Sequence, residues 1–209
     1  MASTPSGPAY RIHTDRLVIR CWQPQDAPLL QTAISQSVDH LRPWMPWIAS
    51  EPEELQTKIE RLRRFRGMFD LGQDFIYGIF NADETQVLGG TGLHTRIGAD
   101  AREIGYWMHK DYLNQGLATE ASAALTRVAF EIDRVQRVEI HCDPSNVRSA
   151  AVPRKLGFTH DGTLRRRVPF LEEVPRDSMI WSMFADEYPA SPAATADITA
   201  YDVVGRRLS

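Results

Sequence analysis

Glu103-Ile104-Gly105-Tyr106-Trp107-Met108-His109, followed by Asp111-Tyr112-Leu113-Asn114-Gln115-Gly116-Leu117-Ala118-Thr119-Glu120-Ala121, is the stretch on which the fold turns. Its first part alternates. Ile104, Tyr106 and Met108 fall on one face, and Glu103, Gly105, Trp107 and His109 on the other, which is the period of a strand. A glycine-bearing turn follows. From Leu117 the apolar residues Ala118, Ala121, Leu125, Val128, Ala129 and Ile132 recur at helical spacing. A strand, a turn and a helix start in succession aim unpaired backbone N–H groups and the positive end of a helix dipole at one point. An anion fits there, and phosphate or pyrophosphate is the commonest biological choice. Gly116 before a helix also reads as plain turn chemistry, so the rest of the chain decides between the two.

Upstream, Arg16–Trp22 alternates as a strand, and a helix with Asp26 as its cap and Pro28 in its first turn runs to about Ser37. His40 to Trp47 holds two prolines and two tryptophans, a stiff aromatic loop. It serves either as a loop pinned to the core or as one wall of a substrate pocket. Glu53–Phe69 is helical, with Leu55, Ile59, Leu62, Phe65 and Phe69 on one face. Lys58, Arg61, Arg63, Arg64 and Arg66 on the other read as a solvated basic face. Gly67 and Gly72 bracket its end. Phe75–Phe80 and Val87–Ile97 are successive antiparallel strands joined by the turn residues 81–84. Gly89, Gly90 and Gly92 imply a bulge or close backbone packing in the second of them.

Downstream, Val135–Asp143 alternates again. Asn146 or Ser145 caps a short helix that Gly157 stops. Strand-like runs occupy Thr159–Arg167 and Arg176–Met183, with a loop at Val168–Glu173 between them. The order is strand, helices, three strands, helix, strand, helix, two strands. This is an α/β (α+β) arrangement, a mixed sheet with helices on its faces, and not the regular alternation of a doubly wound sheet. Residues 1–9 read as a flexible start and 189–209 as a mobile tail, leaving 10–188 as one domain.

The 209 residues suffice for one domain with a sizeable core, and 43% hydrophobic with 24% charged is ordinary for a globular protein. A formal charge of −3 argues against whole-chain nucleic-acid binding. Cys21 and Cys142 are too few for a disulfide framework and read as buried free thiols. His94, His141 and His160 show no metal-ligand spacing, so no metal is expected. No run is long enough to span a membrane, and MASTPSGPAY lacks the features of a signal peptide; a cytoplasmic location is the expectation.

Several of these pieces together resemble a known family. Glu103–His109 as a central strand, Gly116-Leu117-Ala118-Thr119-Glu120-Ala121 as loop and helix start, Asn146-x-x-Ser149 and Lys155-Leu156-Gly157-Phe158 resemble the core of the GCN5-related N-acetyltransferases. Thr14-Asp15-Arg16-Leu17 with Arg20, the Leu41–Trp47 loop, and Arg176-Asp177 with Trp181 and Glu187 are similar to the RimJ/RimL-like ribosomal-protein group within it. The resemblance implies a mostly antiparallel sheet of six to seven strands, splayed at its centre. It implies acetyl-CoA as donor. The pantetheine lies along Tyr106, Trp107, Met108 and His109, and the pyrophosphate on the amides of Asn114, Gln115, Gly116, Leu117, Ala118 and Thr119. The acceptor it implies is a primary amine, foremost a protein N-terminal α-amine on a ribosomal protein or peptide; a homodimer stays open. Leu113 and Asn114 depart from the family's loop pattern, where a polar residue and often a glycine stand. That departure keeps a catalytically silent CoA-binding module in play.

Acetyl transfer needs a neutral amine, a polarised thioester and a proton for the departing thiolate. By resemblance Ser149 protonates the thiolate and Asn146 holds the pantetheine; both also read as a helix cap. Glu103 is the first candidate base and His109, whose imidazole titrates near neutrality, the second. Trp44, Trp47, Tyr77 and Phe170, with Phe75 and Trp181, line an acceptor groove or belong to the core. Related proteins acetylate aminoglycosides or other small amines, and that acceptor class is the alternative.

Overall fold

The computed structural model describes residues 7–168 and 175–208. Among them are strands β1 (Arg11–His13), β2 (Val18–Cys21), β3 (Phe75–Phe80), β4 (Val87–His94), β5 (Ala101–Met108), β6 (Arg137–Cys142), β7 (Thr159–Val168), β8 (Arg176–Phe184) and β9 (Thr199–Tyr201). Helices α1 (Ala27–Leu41), α2 (Leu55–Asp70), α3 (Leu117–Glu131) and α4 (Val147–Leu156) cover the sheet. The strands form one sheet in the order β7-β8-β6-β5-β4-β3-β2-β1-β9.

Every pairing is antiparallel except β5 with β6, which the α3 crossover makes parallel. That parallel pairing holds only from Ala101 opposite Arg137 to Ile104 opposite Ile140. Beyond it β5 runs on to Met108 without β6 beside it, and the sheet splays. The alternation read along β5 holds. Ile104 and Met108 enter the core beneath α3 and α4, whereas Trp107 packs with the α1–α2 core of Leu30, Ile34, Leu41 and Leu62.

The dense glycines of β4 mark close packing. A Cβ on Gly89 would lie 2.3 Å from the Trp107 carbonyl oxygen, a backbone atom that cannot move aside. Gly89→Ala is expected to cost about 1–3 kcal/mol in urea denaturation. Gly67→Ala, in open space on α2, is expected to gain about 0.5–1 kcal/mol from helix propensity.

Several sequence expectations need correction. The sheet has two more strands than six to seven, because β1 pairs with β2 and β9 closes the edge beside β1. The segment after Pro189 is thus packed structure: Ala193, Ile198 and Ala200 are buried, and the Tyr188 hydroxyl donates to Glu131 at 2.8 Å. Ala9 is likewise buried, its carbonyl taking the Tyr77 hydroxyl at 3.0 Å. α1 continues to Leu41, and α2 carries through Gly67 to Asp70. Asp26 caps from within the turn that leads into α1, accepting from Gln23 N at 2.8 Å, and also receives the Arg20 guanidinium at 2.7 and 2.9 Å. Lys58 belongs to no solvated face. It is 0% exposed and ion-paired to Glu51 and Glu53, which the loop before α2 brings over it. Cys21 and Cys142 are free and buried as expected. Among the described residues no helix is long and apolar enough to cross a membrane.

Candidate active site

The splay opens two cavities that share a boundary. The smaller, about 390 Å³, lies between the end of β5, the loop before α3 and the start of α4. Tyr106, Trp107, Met108, Asn114, Gly116, Leu117, Ala118 and Thr119 line it. The loop is shaped for an anion. Gly116 precedes α3 at φ +79°, a conformation that glycine adopts without strain. The N–H groups of residues 114–119 find no acceptor among the described residues. Asn114, one of the two departures from the family pattern, sits at φ +59°. Asparagine is the side chain that best tolerates this left-handed region, so the loop keeps the turn a glycine would make. Leu113, the other departure, packs against the core.

Glu120, Thr14 and Arg16 hold the loop in place. Glu120 in the first turn of α3 accepts from Thr14 Oγ1 at 2.6 Å, Arg16 N at 3.1 Å and Arg16 Nε at 2.7 Å. Arg16 Nη1 also donates to the Gln115 carbonyl at 3.0 Å. The Gln115 amide turns back to the Asp111 carbonyl, so Gln115 contributes backbone and not side chain to the site. Glu120→Ala is expected to weaken CoA binding about fivefold by calorimetry, in line with the ~1 kcal/mol of an exposed ion pair.

The larger cavity, about 740 Å³, lies on the other side of the splay between α1, α2, β4, β5, β6 and β8. Trp44, Met45, Tyr106, Trp107, Asn146 and Ser149 line both cavities, so the two spaces meet at these residues. Asn146 caps α4, its Oδ1 accepting from Ser149 N at 3.1 Å. That bond holds Ser149 at the boundary, with its hydroxyl 3.1 Å from the Tyr106 hydroxyl. Burial, against the smaller opposing effect of the Ser149 contact, pushes the Tyr106 phenol well above its ordinary range. The phenol therefore stays protonated; its hydroxyl donates to the Ser149 carbonyl at 3.1 Å and lies at the same distance from the Ser149 hydroxyl. Capping and chemistry are compatible roles for this pair.

Glu103 lies on the wall of the larger cavity and is 6% exposed. Burial pushes its carboxyl up, but two hydrogen bonds from Arg96, the nearby His141 and the Arg96 charge together outweigh burial and leave it below the usual carboxylate range. His109 is placed in neither cavity. Its Nε2 meets Gln36 Oε1 at 2.8 Å and its Nδ1 accepts from Asp111 N at 3.1 Å, so neither ring nitrogen is available to a substrate. Burial first, then Lys110 and His40, lower its affinity for a proton, against Asp111. The ring thus ties the end of β5 to α1, which leaves it no nitrogen for the role of base.

Trp44 and Trp47 both line the larger cavity, and Trp47 meets Trp107 edge-on at 6.1 Å. Tyr77 borders it too, but is 1% exposed with its hydroxyl committed to Ala9, so it braces the wall. Phe170 lies outside the described residues. Three residues escaped the sequence reading as parts of this site. His40 lines the smaller cavity and reaches the Met108 carbonyl at 3.1 Å. Arg176 donates to the carbonyls of Pro43 at 2.9 Å and Trp44 at 3.2 Å, and pairs with Asp143, fastening the aromatic loop over both cavities. His141 lies beside Glu103. None carries a local signal, because each acts on a segment far away in the chain.

A family model described as an acetyltransferase (GNAT) domain matches residues 16–159. A curated relative, the [Ribosomal protein uS5]-alanine N-acetyltransferase of Escherichia coli (strain K12), is 27% identical over 161 residues, covering 74% of this chain and 81% of its own. Mycobacterium smegmatis RimJ in complex with CoA-disulfide superposes with a TM-score of 0.74 at 22% identity, over 92% of this chain and 93% of that one. The Microcin C7 self immunity acetyltransferase MccE, in complex with acetyl-CoA and AMP, also gives 0.74 at 21% identity, over 81% and 93%. The splayed sheet, the anion-shaped loop before α3 and the family match over most of the chain lead to one conclusion: the chain belongs to the acetyltransferase (GNAT) domain family.

Proposed function

We propose that the protein is an acetyl-CoA-dependent N-acetyltransferase that acetylates a protein N-terminal α-amine by direct attack in a ternary complex. The observation that carries this reading is the meeting of two cavities at Tyr106, Asn146 and Ser149. One is built for a phosphate-bearing donor and the other is open to an acceptor. The thioester at their boundary is then reached by an amine from the far side. The amine nitrogen bonds to the carbonyl carbon, the C–S bond breaks, and the thiolate takes its proton from Ser149. Holding the two substrates in line supplies much of the rate, of the order of ~7–11 kcal/mol for well-oriented reactants.

Asn146, Tyr106, Trp107 and Met108 border the pantetheine, and the free amides of 114–119 hold the pyrophosphate. Trp44 and Trp47 wall the acceptor side. The name of the E. coli relative, an enzyme of ribosomal protein uS5, supports a ribosomal-protein N-terminus as acceptor. The test is to mix the protein with acetyl-CoA and a panel of amines while following free thiol. The panel holds peptides beginning with Ala or Ser, a polyamine and an aminoglycoside. Thiol release with the peptides is expected. Release with the small amines alone would reassign the acceptor, and tight CoA binding with no release on any amine would sink the enzyme reading.

A further inference from the structure

The acceptor side of the splay holds an imidazole that the mechanism above does not use. His141 is the first β6 residue beyond the last β5–β6 rung, Ile104 with Ile140. It lines the larger cavity and not the smaller. Its Nε2 is 2.6 Å from Glu139 Oε2, while the other Glu139 oxygen lies 2.7 Å from Arg137 Nε. A carboxylate at that distance fixes Nε2 as the protonated nitrogen and leaves the Nδ1 lone pair unshared. Nδ1 lies 3.7 Å from Glu103 Oε2, too far for a hydrogen bond.

We propose that His141 takes the proton from the attacking amine, with Glu139 as its positioning residue and Glu103 stabilising the imidazolium. The proposal rests on the acetyl-transfer reading and assigns the base within it. Glu103 is the poorer base, because Arg96 occupies both its oxygens. Glu103 on β5 and Glu139 on β6 flank the ring, Arg96 and Arg137 hold those two carboxylates, and Arg61, Asp143, Arg167, Arg176 and Asp177 line the same cavity. Beyond Glu103 stands His94, bonded to Asp74 at 2.9 Å. β8 places the apolar Ile180 opposite His141. The proton balance closes. The amine loses one proton to His141 Nδ1, directly or through one water, as the N–C bond forms. The sulfur gains one from Ser149 as the C–S bond breaks. Solvent then carries a proton from His141 to reset Ser149.

The test is the pH profile of kcat/KM for the acceptor peptide at saturating acetyl-CoA, in wild type, H141Q, E139Q and E103Q. H141Q is expected to lose about 10²-fold at neutral pH, the scale of general-base catalysis. Its defect should narrow at high pH, where hydroxide takes the amine's proton in place of the imidazole. E139Q should fall between H141Q and wild type and displace the rising limb, with acetyl-CoA affinity by calorimetry unchanged in both. A loss in H141Q that is equal at every pH would mark His141 as merely structural and overturn the proposal. A wild-type profile in H141Q with a collapsed E103Q would hand the role to Glu103. No turnover by the wild type on any amine would overturn the acetyl-transfer reading itself; equal turnover by wild type and H141Q overturns the His141 assignment alone.

Discussion

Ser149→Ala is expected to lower kcat by about 10²-fold, the usual scale of a lost acid–base group. Acetyl-CoA affinity should change by less than about 0.5 kcal/mol, as for a substitution that removes no packing. The reasoning is geometric. The Asn146 cap of α4 accepts from the backbone N–H of residue 149, which alanine retains, so the helix start and the wall of the donor cavity persist. What disappears is the hydroxyl at the boundary of the two cavities and its contact with Tyr106. A steady-state assay paired with calorimetry separates the two effects. A mutant with wild-type kcat would remove Ser149 from the mechanism, and a mutant that binds acetyl-CoA far more weakly would make it a binding residue.

The largest stability effect is expected at Lys58. Lys58→Ala should cost about 3–5 kcal/mol, because it strips the partner from buried carboxylates. Glu51 and Glu53 are nearly as buried as the lysine. Arg61 still covers Glu53, so Glu51 is the group left with a buried, unpaired charge. For a chain of this size the melting temperature should fall by roughly 10 °C. Burial pushes the Glu53 carboxyl up, but the bonds from Arg61 and Ser50, with the charges of Arg61 and Lys58, prevail and hold it low. A depressed carboxylate stabilises the fold above its unfolded pKa, near ~4.3, and loses that contribution as pH falls through the folded value. The wild type should therefore lose stability below about pH 4 over this window. The Lys58 variant should show a shallower acid dependence there. Urea melts at several pH values report both, and a Lys58→Ala protein within 1 kcal/mol of wild type would refute the account.

Much of the fold was readable along the chain. β3 has the bounds read from its apolar run, and α3 begins at Leu117 as its pattern requires. The central strand's two faces were assigned correctly from period two, since a strand's side chains alternate wherever it lies. The loop was legible in part, because its glycine and its helix start are neighbours in sequence, whereas Asn114 read as a departure and only its positive φ shows that it keeps the turn. β1 and β9 were not. Three residues each carry too little alternation to signal a strand, and their pairing joins Arg11 to Tyr201 across almost the whole chain.

The histidines mark the boundary between the two kinds of information. His109 ends a strand beside a promising loop, yet Gln36 on α1 and the Asp111 N–H take both its nitrogens. His141 looks no different in its local sequence, but the parallel pairing of β5 with β6 sets Glu103 on the rung of Glu139, two residues before it. Lys58 divides the two: the helical period sets it in the stripe of Leu62, Phe65 and Phe69, so its burial follows from the sequence, but its partners Glu51 and Glu53 come from the loop before α2. Strand, turn and helix start were written in residues one to four apart, where backbone sterics and capping bonds act. A side chain's partner, its burial and hence its acid–base role depend on residues that meet only when the chain closes on itself, and no local pattern encodes that meeting.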